Sequence, residues 1–197
     1  GGVFAKIDTP VYHYTLNPGF TKFNKNRLAF YDFGPHVAST PKGAQDRFVN
    51  QIGGVTSKDG EIVVTSDKKL RGGSIPLKAD LSKPFNNPKT GKPFTEEELN
   101  TFKASEIDKI LKKEGFKDDF TTEDLFLNTL DGSSGQKDFF IRAINNTSDI
   151  RELINEISQN LAKEGFTHVP YVNAYEDVGE LSYEMLIDRP MNSTKVL

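Results

Sequence analysis

Histidines at positions 13, 36 and 168 and a late group of carboxylates are the residues that invite chemistry in this chain. His13 stands in the run Val11-Tyr12-His13-Tyr14-Thr15, and His36 follows Gly34-Pro35. Glu176, Glu180 and Glu184 gather near the C-terminal end, with Ser182 among them. Phe20 and Phe23 lie three apart, and Ala44 and Phe48 four apart. Cysteine is absent, which excludes thiol nucleophiles, disulfides and cysteine zinc sites. The histidines are too scattered for close-spaced zinc ligation. No glycine-rich strand–helix motif offers a phosphate cradle, and Gly72-Gly73 alone carries little signal. A serine–histidine nucleophilic set lacks the nucleophile-elbow pattern.

The elements that must position these groups are legible from pattern. Val11–Thr15 reads as a strand carrying His13, and Asn17-Pro18-Gly19 as a turn. Gly34–Ser39 is a second short run that leads into a helix. Thr40 can cap that helix, Pro41 suits its first position, and Ala44 and Phe48 fall on one face. From Gly53 to Pro84 the chain reads as β-rich, with a β-branched run at Glu61–Thr65 and a strand within Ser74–Leu81. Pro76 places the latter at a strand end or a sheet edge. Lys68, Lys69 and Arg71 form a small basic cluster, either a solvated loop or a contact for phosphates.

Between Asn86 and Gly165 the pattern turns helical. Thr95-Glu96-Glu97-Glu98 is a capping box, followed by the stripe Leu99, Phe102, Ile107, Ile110 and Leu111, and Gly115 ends that helix. Shorter helical candidates lie at 121–130 and 138–145. The best-defined helix spans about 149–163, with Ile150, Leu153, Ile154, Ile157 and Leu161 on one face and Gly165 beyond. Thr167–Val172 and Leu181–Ile187 read as two strands joined by an acidic loop at 173–180. Ser182 and Glu184, two apart in the last strand, share a face.

A chain of 197 residues suffices for one domain or for one domain with an insertion. A net charge of -3 gives no electrostatic reason to bind nucleic acid non-specifically. No run approaches the length of a membrane span and no signal-peptide pattern is present, so a soluble protein is expected.

The order of these motifs resembles the ADP-ribosyltransferase fold of diphtheria-type toxins and poly(ADP-ribose) polymerases. That family has a first strand with His-x-Thr, a Phe-x-x-Phe segment, and a Gly-aromatic strand running into a helix. The resemblance covers about the first 85 residues and the last 35. It implies a single α+β domain, 1–197, with a split, mainly antiparallel β core around an NAD cleft and a helical insertion at about 86–165. It also implies that His13 contacts the adenosine ribose and that the Tyr14 backbone holds the nicotinamide amide. Thr15 completes the first motif, Phe20, Phe23 and His36 shape the wall, and Ala44 and Phe48 sit beside the nicotinamide ring. Tyr14 replaces the usual glycine, and His36 stands where a tyrosine is common. The family's NAD is a substrate, and no metal is implied.

In that fold a glutamate at the head of a late strand binds the 2′-hydroxyl of the nicotinamide ribose and stabilises the oxocarbenium-like state as nicotinamide leaves, as in glycoside cleavage. Glu184, in Glu-Met-Leu-Ile-Asp-Arg-Pro, resembles the ending of arginine-directed transferases and is the favoured carboxylate, with Glu176 and Glu180 as loop candidates. Aligning instead on Val169–Glu176 puts Pro170 at the catalytic position, and the polymerase pattern puts Ser182 there. The resemblance therefore implies a mono-ADP-ribosyltransferase acting on a macromolecular target, foremost a protein. A bacterial or phage toxin or effector, delivered to a host cell, fits this description. The alternatives are an inactive binding module of the same fold and an NAD glycohydrolase.

Overall fold

The computed structural model describes residues 10–15, 32–51, 55–58, 61–64, 73–113, 115 and 150–186. Phe20, Phe23, the basic cluster Lys68, Lys69 and Arg71, and the helical candidates at 121–130 and 138–145 lie outside them. The described strands are β1 (Pro10–Thr15), β2 (His36–Ala38), β3 (Val55–Lys58), β4 (Glu61–Val64), β5 (Gly73–Lys78), β6 (Phe94–Thr95), β7 (His168–Val172) and β8 (Leu181–Met185). The described helices are α1 (Pro41–Gln51), α2 (Glu96–Lys113) and α3 (Ile150–Lys163). Six strands form one sheet in the order β5-β1-β2-β8-β7-β6, while β3 and β4 pair separately. Each neighbouring pair is antiparallel except β6 with β7. The class is α+β, as expected, with a mostly antiparallel core.

Local signals set the helix ends. Thr40 Oγ1 accepts the Gly43 N–H at 3.0 Å, capping α1. At α2 the capping box closes both ways: the Glu98 N–H donates to Thr95 Oγ1 at 3.1 Å, and the Thr95 N–H to Glu98 Oε1 at 2.8 Å. Helix α3 ends in a Schellman motif on Gly165 (φ 102°), where the Phe166 N–H reaches the Leu161 carbonyl and the Gly165 N–H that of Ala162. Pro76 lies in β5, an edge strand of the six-stranded sheet, where its missing N–H is tolerated.

The sheet has two different faces. Val11, Val37, Ile75, Leu77 and Met185 make one buried cluster, joined by Tyr183. The opposite face carries Val169 and Tyr171 into a larger core with α2 and α3, contributed by Leu99, Ile107, Leu111, Leu153, Ile154 and Leu161. Phe33 and Phe94 complete that core. The stretch at 86–165, read from sequence as a helical insertion, thus supplies edge strand β6 and two helices packed into the same core. A third group, Tyr14, Ala38 and Ala44 with Tyr12 and Phe48 against it, seats α1 on the β1–β2 part of the sheet.

Candidate functional site

Strand β8 lies between β2 and β7, so Glu184 stands directly opposite both His36 and Val169. Cross-strand partners share a face, and residues two apart along a strand do too. His36, Ala38, Ser182, Glu184, Val169 and Tyr171 therefore point to the helix side. Glu184 is buried there against α2. The Lys103 ammonium donates to both carboxylate oxygens, at 2.8 and 2.9 Å, and the Phe33 N–H donates to Oε1 at 2.8 Å. Both side chains of the pair are buried, at 3% and 4% exposure. The ammonium also sits 4.9 Å from the centroid of the Phe33 ring, a cation–π distance. Phe33 is fixed in turn by Ser158 of α3, whose hydroxyl donates to its carbonyl at 2.7 Å.

A second ion pair, the partly buried Arg47 of α1 with Asp32, lies at 3.2 Å. Burial pushes the Asp32 carboxyl up while Arg47 pulls it back. His36 is buried and its pKa is held well below the ordinary value, first by burial and then by Arg47, so the imidazole is neutral. Burial likewise raises the Tyr171 hydroxyl. Tyr171 therefore keeps its proton, and its hydroxyl is hydrogen-bonded to His36 Nε2.

Asp32, Arg47, Lys103, Tyr171 and Glu184 border a cavity of about 530 Å³ between α1, the start of α2 and the β7–β8 loop. Its charged lining is five carboxylates, from Asp32, Glu96, Glu97, Glu176 and Glu184, against two cations, Arg47 and Lys103. The imbalance has a titration consequence. Glu96 is pushed up to about 7, first by burial and then by repulsion from Glu176, while Arg47 and the Ala174 N–H pull it down.

The folded-state pKa of Glu96 thus lies above its ordinary value of 4.5, and the folded protein holds the proton longer than the unfolded chain does. The stability contribution is complete below pH 4.5 and is lost as pH rises towards about 7. Discounted for partial exposure, the loss is about 1 kcal/mol. Denaturant titrations of wild type and Glu96→Gln across that window are expected to show the difference between them changing by this amount, with wild type the one that weakens.

The β7–β8 loop is latched to α1. Thr40 Oγ1, besides capping α1, donates to Asp177 Oδ2, and the Asp177 N–H donates to Asp46 Oδ2 at 3.0 Å. Asp177 has φ 45°, a left-handed conformation that aspartate tolerates better than most residues. Glu176 and Tyr175 of the same loop line the cavity. Thr40→Ala removes a cap and a latch together and is expected to cost about 1–2 kcal/mol, with Thr40→Ser keeping most of it. Equilibrium unfolding of the two variants checks this.

The structure brings some of the sequence-selected residues together and separates others. Glu184 and Glu176 share the cavity. Ser182 is buried on the same face as Glu184 but donates to Asn173 Oδ1 at 2.6 Å and does not line it. Glu180 is exposed on the loop. Tyr14 is buried and stacks on Phe48, with ring centroids 4.5 Å apart and planes at 30°, and Ala44 packs beside them. Thr15 closes β1 opposite Gly73.

His13 goes the other way. It pairs with Ile75 and alternates with Tyr14, so it shares the Val11–Ile75–Leu77 face. Its Nδ1–H donates to the His36 carbonyl at 3.1 Å, and burial lowers its pKa. The expectation that His13 and Phe48 line one cleft is therefore not met, because strand alternation sends their side chains to opposite faces. Pro170, paired with Tyr183, also lies on the face away from Glu184.

Sequence reasoning missed Lys103, Arg47, Asp32, Tyr171 and Glu96. Lys103 did leave a signal. It falls in the four-residue series Leu99, Lys103, Ile107, Leu111, a lysine on the buried stripe of its helix. Arg47 stands beside Phe48 on the inward side of α1.

Comparison with known proteins gives no match: no family model, curated protein or solved structure is similar to the chain at the level counted as a match. Among the described residues no group of three or more histidine, aspartate or glutamate side chains is placed to hold a metal ion. No described helix is long and apolar enough to cross a membrane.

Proposed function

We propose that the chain is a binding module with an ADP-ribosyltransferase-like arrangement of elements, catalytically silent in this conformation. The observation that carries this reading is the state of Glu184, whose two oxygens both accept from the Lys103 ammonium and one of them from the Phe33 N–H. A carboxylate neutralised at contact distance offers little field to a ribose that becomes positive. The cavity charge points the same way. Five carboxylates against two cations disfavour the pyrophosphate of NAD and favour a cationic group, such as an arginine side chain of a protein partner. Titration calorimetry with NAD and with a short arginine-containing peptide, beside an assay of nicotinamide release, tests it. The expected result is no nicotinamide release above a blank, with the peptide bound more tightly than NAD and its advantage reduced by salt. Release of nicotinamide by the wild-type protein would overturn this reading.

A second reading, mono-ADP-ribosyl transfer itself, is favoured by one observation: Glu184 borders the cavity, directly across from His36 on the neighbouring strand. In this reading NAD is the substrate and a protein side chain the acceptor, or water in the glycohydrolase form. The two readings differ in whether Lys103 leaves Glu184.

A further inference from the structure

We propose that the β7–β8 loop and the first turn of α2 form a docking surface for a protein segment that presents an arginine next to an apolar residue. The guanidinium enters among Glu96, Glu97 and Glu176, and the apolar neighbour settles on Tyr175 and Val178. The inference rests on the cation-binding reading above and deepens it by naming the partner's chemistry. Charge complementarity comes first. Each cation of the cavity already touches one carboxylate, Arg47 with Asp32 and Lys103 with Glu184. Five carboxylates line the cavity against those two cations, and Glu96 and Glu97 bring part of the excess from the first turn of α2. An incoming cation is attracted by that excess without displacing either pair.

The lip of the cavity says what carries the cation. Among the described residues the exposed large hydrophobic side chains are Tyr175, at 71% exposure, and Val178, at 67%, and both belong to the β7–β8 loop. Tyr175 also lines the cavity, so it stands at the mouth. A free ion has no use for an apolar lip, whereas a protein segment buries it. The aromatic face selects guanidinium over ammonium, because the planar fork stacks on a ring while it donates to carboxylates. The loop is also held in shape beforehand. Besides the Asp177 latch to α1, the Asn173 N–H donates to the Glu180 carbonyl at 2.8 Å and the Gly179 N–H to that of Asn173 at 3.0 Å. Little ordering entropy is left to lose on binding.

Entry of the guanidinium has a proton signature. Glu96 faces Glu176 and the Ala174 N–H of the loop, and Arg47 of α1. Glu97 and Lys103 of its own helix line the same cavity, as do Asp32, Tyr171 and Glu184. Pushed up to about 7 by burial and then by Glu176, the Glu96 carboxyl holds a proton near neutrality that an arriving cation expels. Binding therefore tightens as pH rises, by about tenfold from pH 6 to pH 8 for one proton released. The Tyr171 hydroxyl, raised by burial, keeps its proton throughout this window.

The test is titration calorimetry of the full chain with a blocked tripeptide of leucine, arginine and glycine. Three further probes accompany it: citrulline in place of the arginine, glycine in place of the leucine, and blocked arginine alone. The citrulline peptide keeps the shape without the charge and is expected to bind at least about tenfold more weakly. Loss of the leucine is expected to weaken binding about fivefold, the worth of a partly buried apolar side chain. Tyr175→Ala is expected to weaken the leucine peptide about tenfold, as for an aromatic anchor, with an unchanged unfolding midpoint because the side chain is exposed. Glu96→Gln is expected to abolish the rise in affinity between pH 6 and pH 8. If the leucine peptide binds no better than blocked arginine, or if Tyr175→Ala changes nothing, the docking surface is overturned while the cation-binding reading stands. If no arginine probe binds better than the citrulline peptide, that reading fails and the docking surface with it. A pH dependence that survives Glu96→Gln overturns the placement of the guanidinium at Glu96.

Discussion

Lys103→Met is expected to lower stability by about 3–5 kcal/mol, the loss that follows when one partner of a buried ion pair is removed and the other stays behind. The methionine fills much of the lysine's volume, so the loss is electrostatic in origin and not a cavity effect. Glu184, at 3% exposure, keeps the Phe33 N–H as a donor but loses its cation, and it must either remain charged in the core or take up a proton. The double variant Lys103→Met/Glu184→Gln separates these contributions. Its amide oxygen still accepts from Phe33, and no charge remains to be solvated, so most of the stability is expected to return. Urea unfolding of the two single variants and the double measures the coupling directly. A coupling energy under about 0.5 kcal/mol, the additivity limit for independent sites, would mean that the pair contributes nothing specific to the fold.

Phe94→Ala is expected to cost a similar amount, about 3–5 kcal/mol, through lost burial and the cavity left behind. Phe94 is 1% exposed and meets Phe85 at 6.0 Å and Phe102 at 5.4 Å between ring centroids. Its strand also sets where α2 begins, since Thr95 is both the last residue of β6 and the cap of that helix. The loss should therefore appear in unfolding midpoints and, by hydrogen exchange, in the first turns of α2. Phe102→Ala is the comparison. Its ring touches the same aromatic group from a half-buried position, so a smaller loss is expected. Equal losses would show that the aromatic group acts as one unit without a dominant anchor.

Both predictions concern residues whose importance depends on distant partners, and that divides what could be read from the chain. Thr40 with Pro41, Thr95 with Glu98, and Gly165 after an apolar stripe announced helix ends correctly, because each signal and its partner lie within a turn of one another. Leu153, Ile154, Ile157 and Leu161 were legible as a buried face for the same reason. Pro76 marked a strand end or a sheet edge through a missing donor, which is a property of one residue, and the second of these is what the sheet shows.

The site was legible only in part. Glu184 was selected from its place in a late strand, and the structure does set it at a cavity. Its partner Lys103 lies 81 residues away in sequence, and nothing local distinguishes a lysine that will be buried from one that will be solvated, except its place in the apolar stripe. His13 shows the limit most directly. Alternation within β1 was readable, but which side of that strand faces α1 depends on pairing with β2 and β5, set by residues up to 68 positions away. The chain by itself thus determined the elements, their ends and their amphipathic faces, since these follow from interactions within a few residues. Only the tertiary structure decided which faces meet, so it alone put Lys103 on Glu184 and turned His13 away from Phe48.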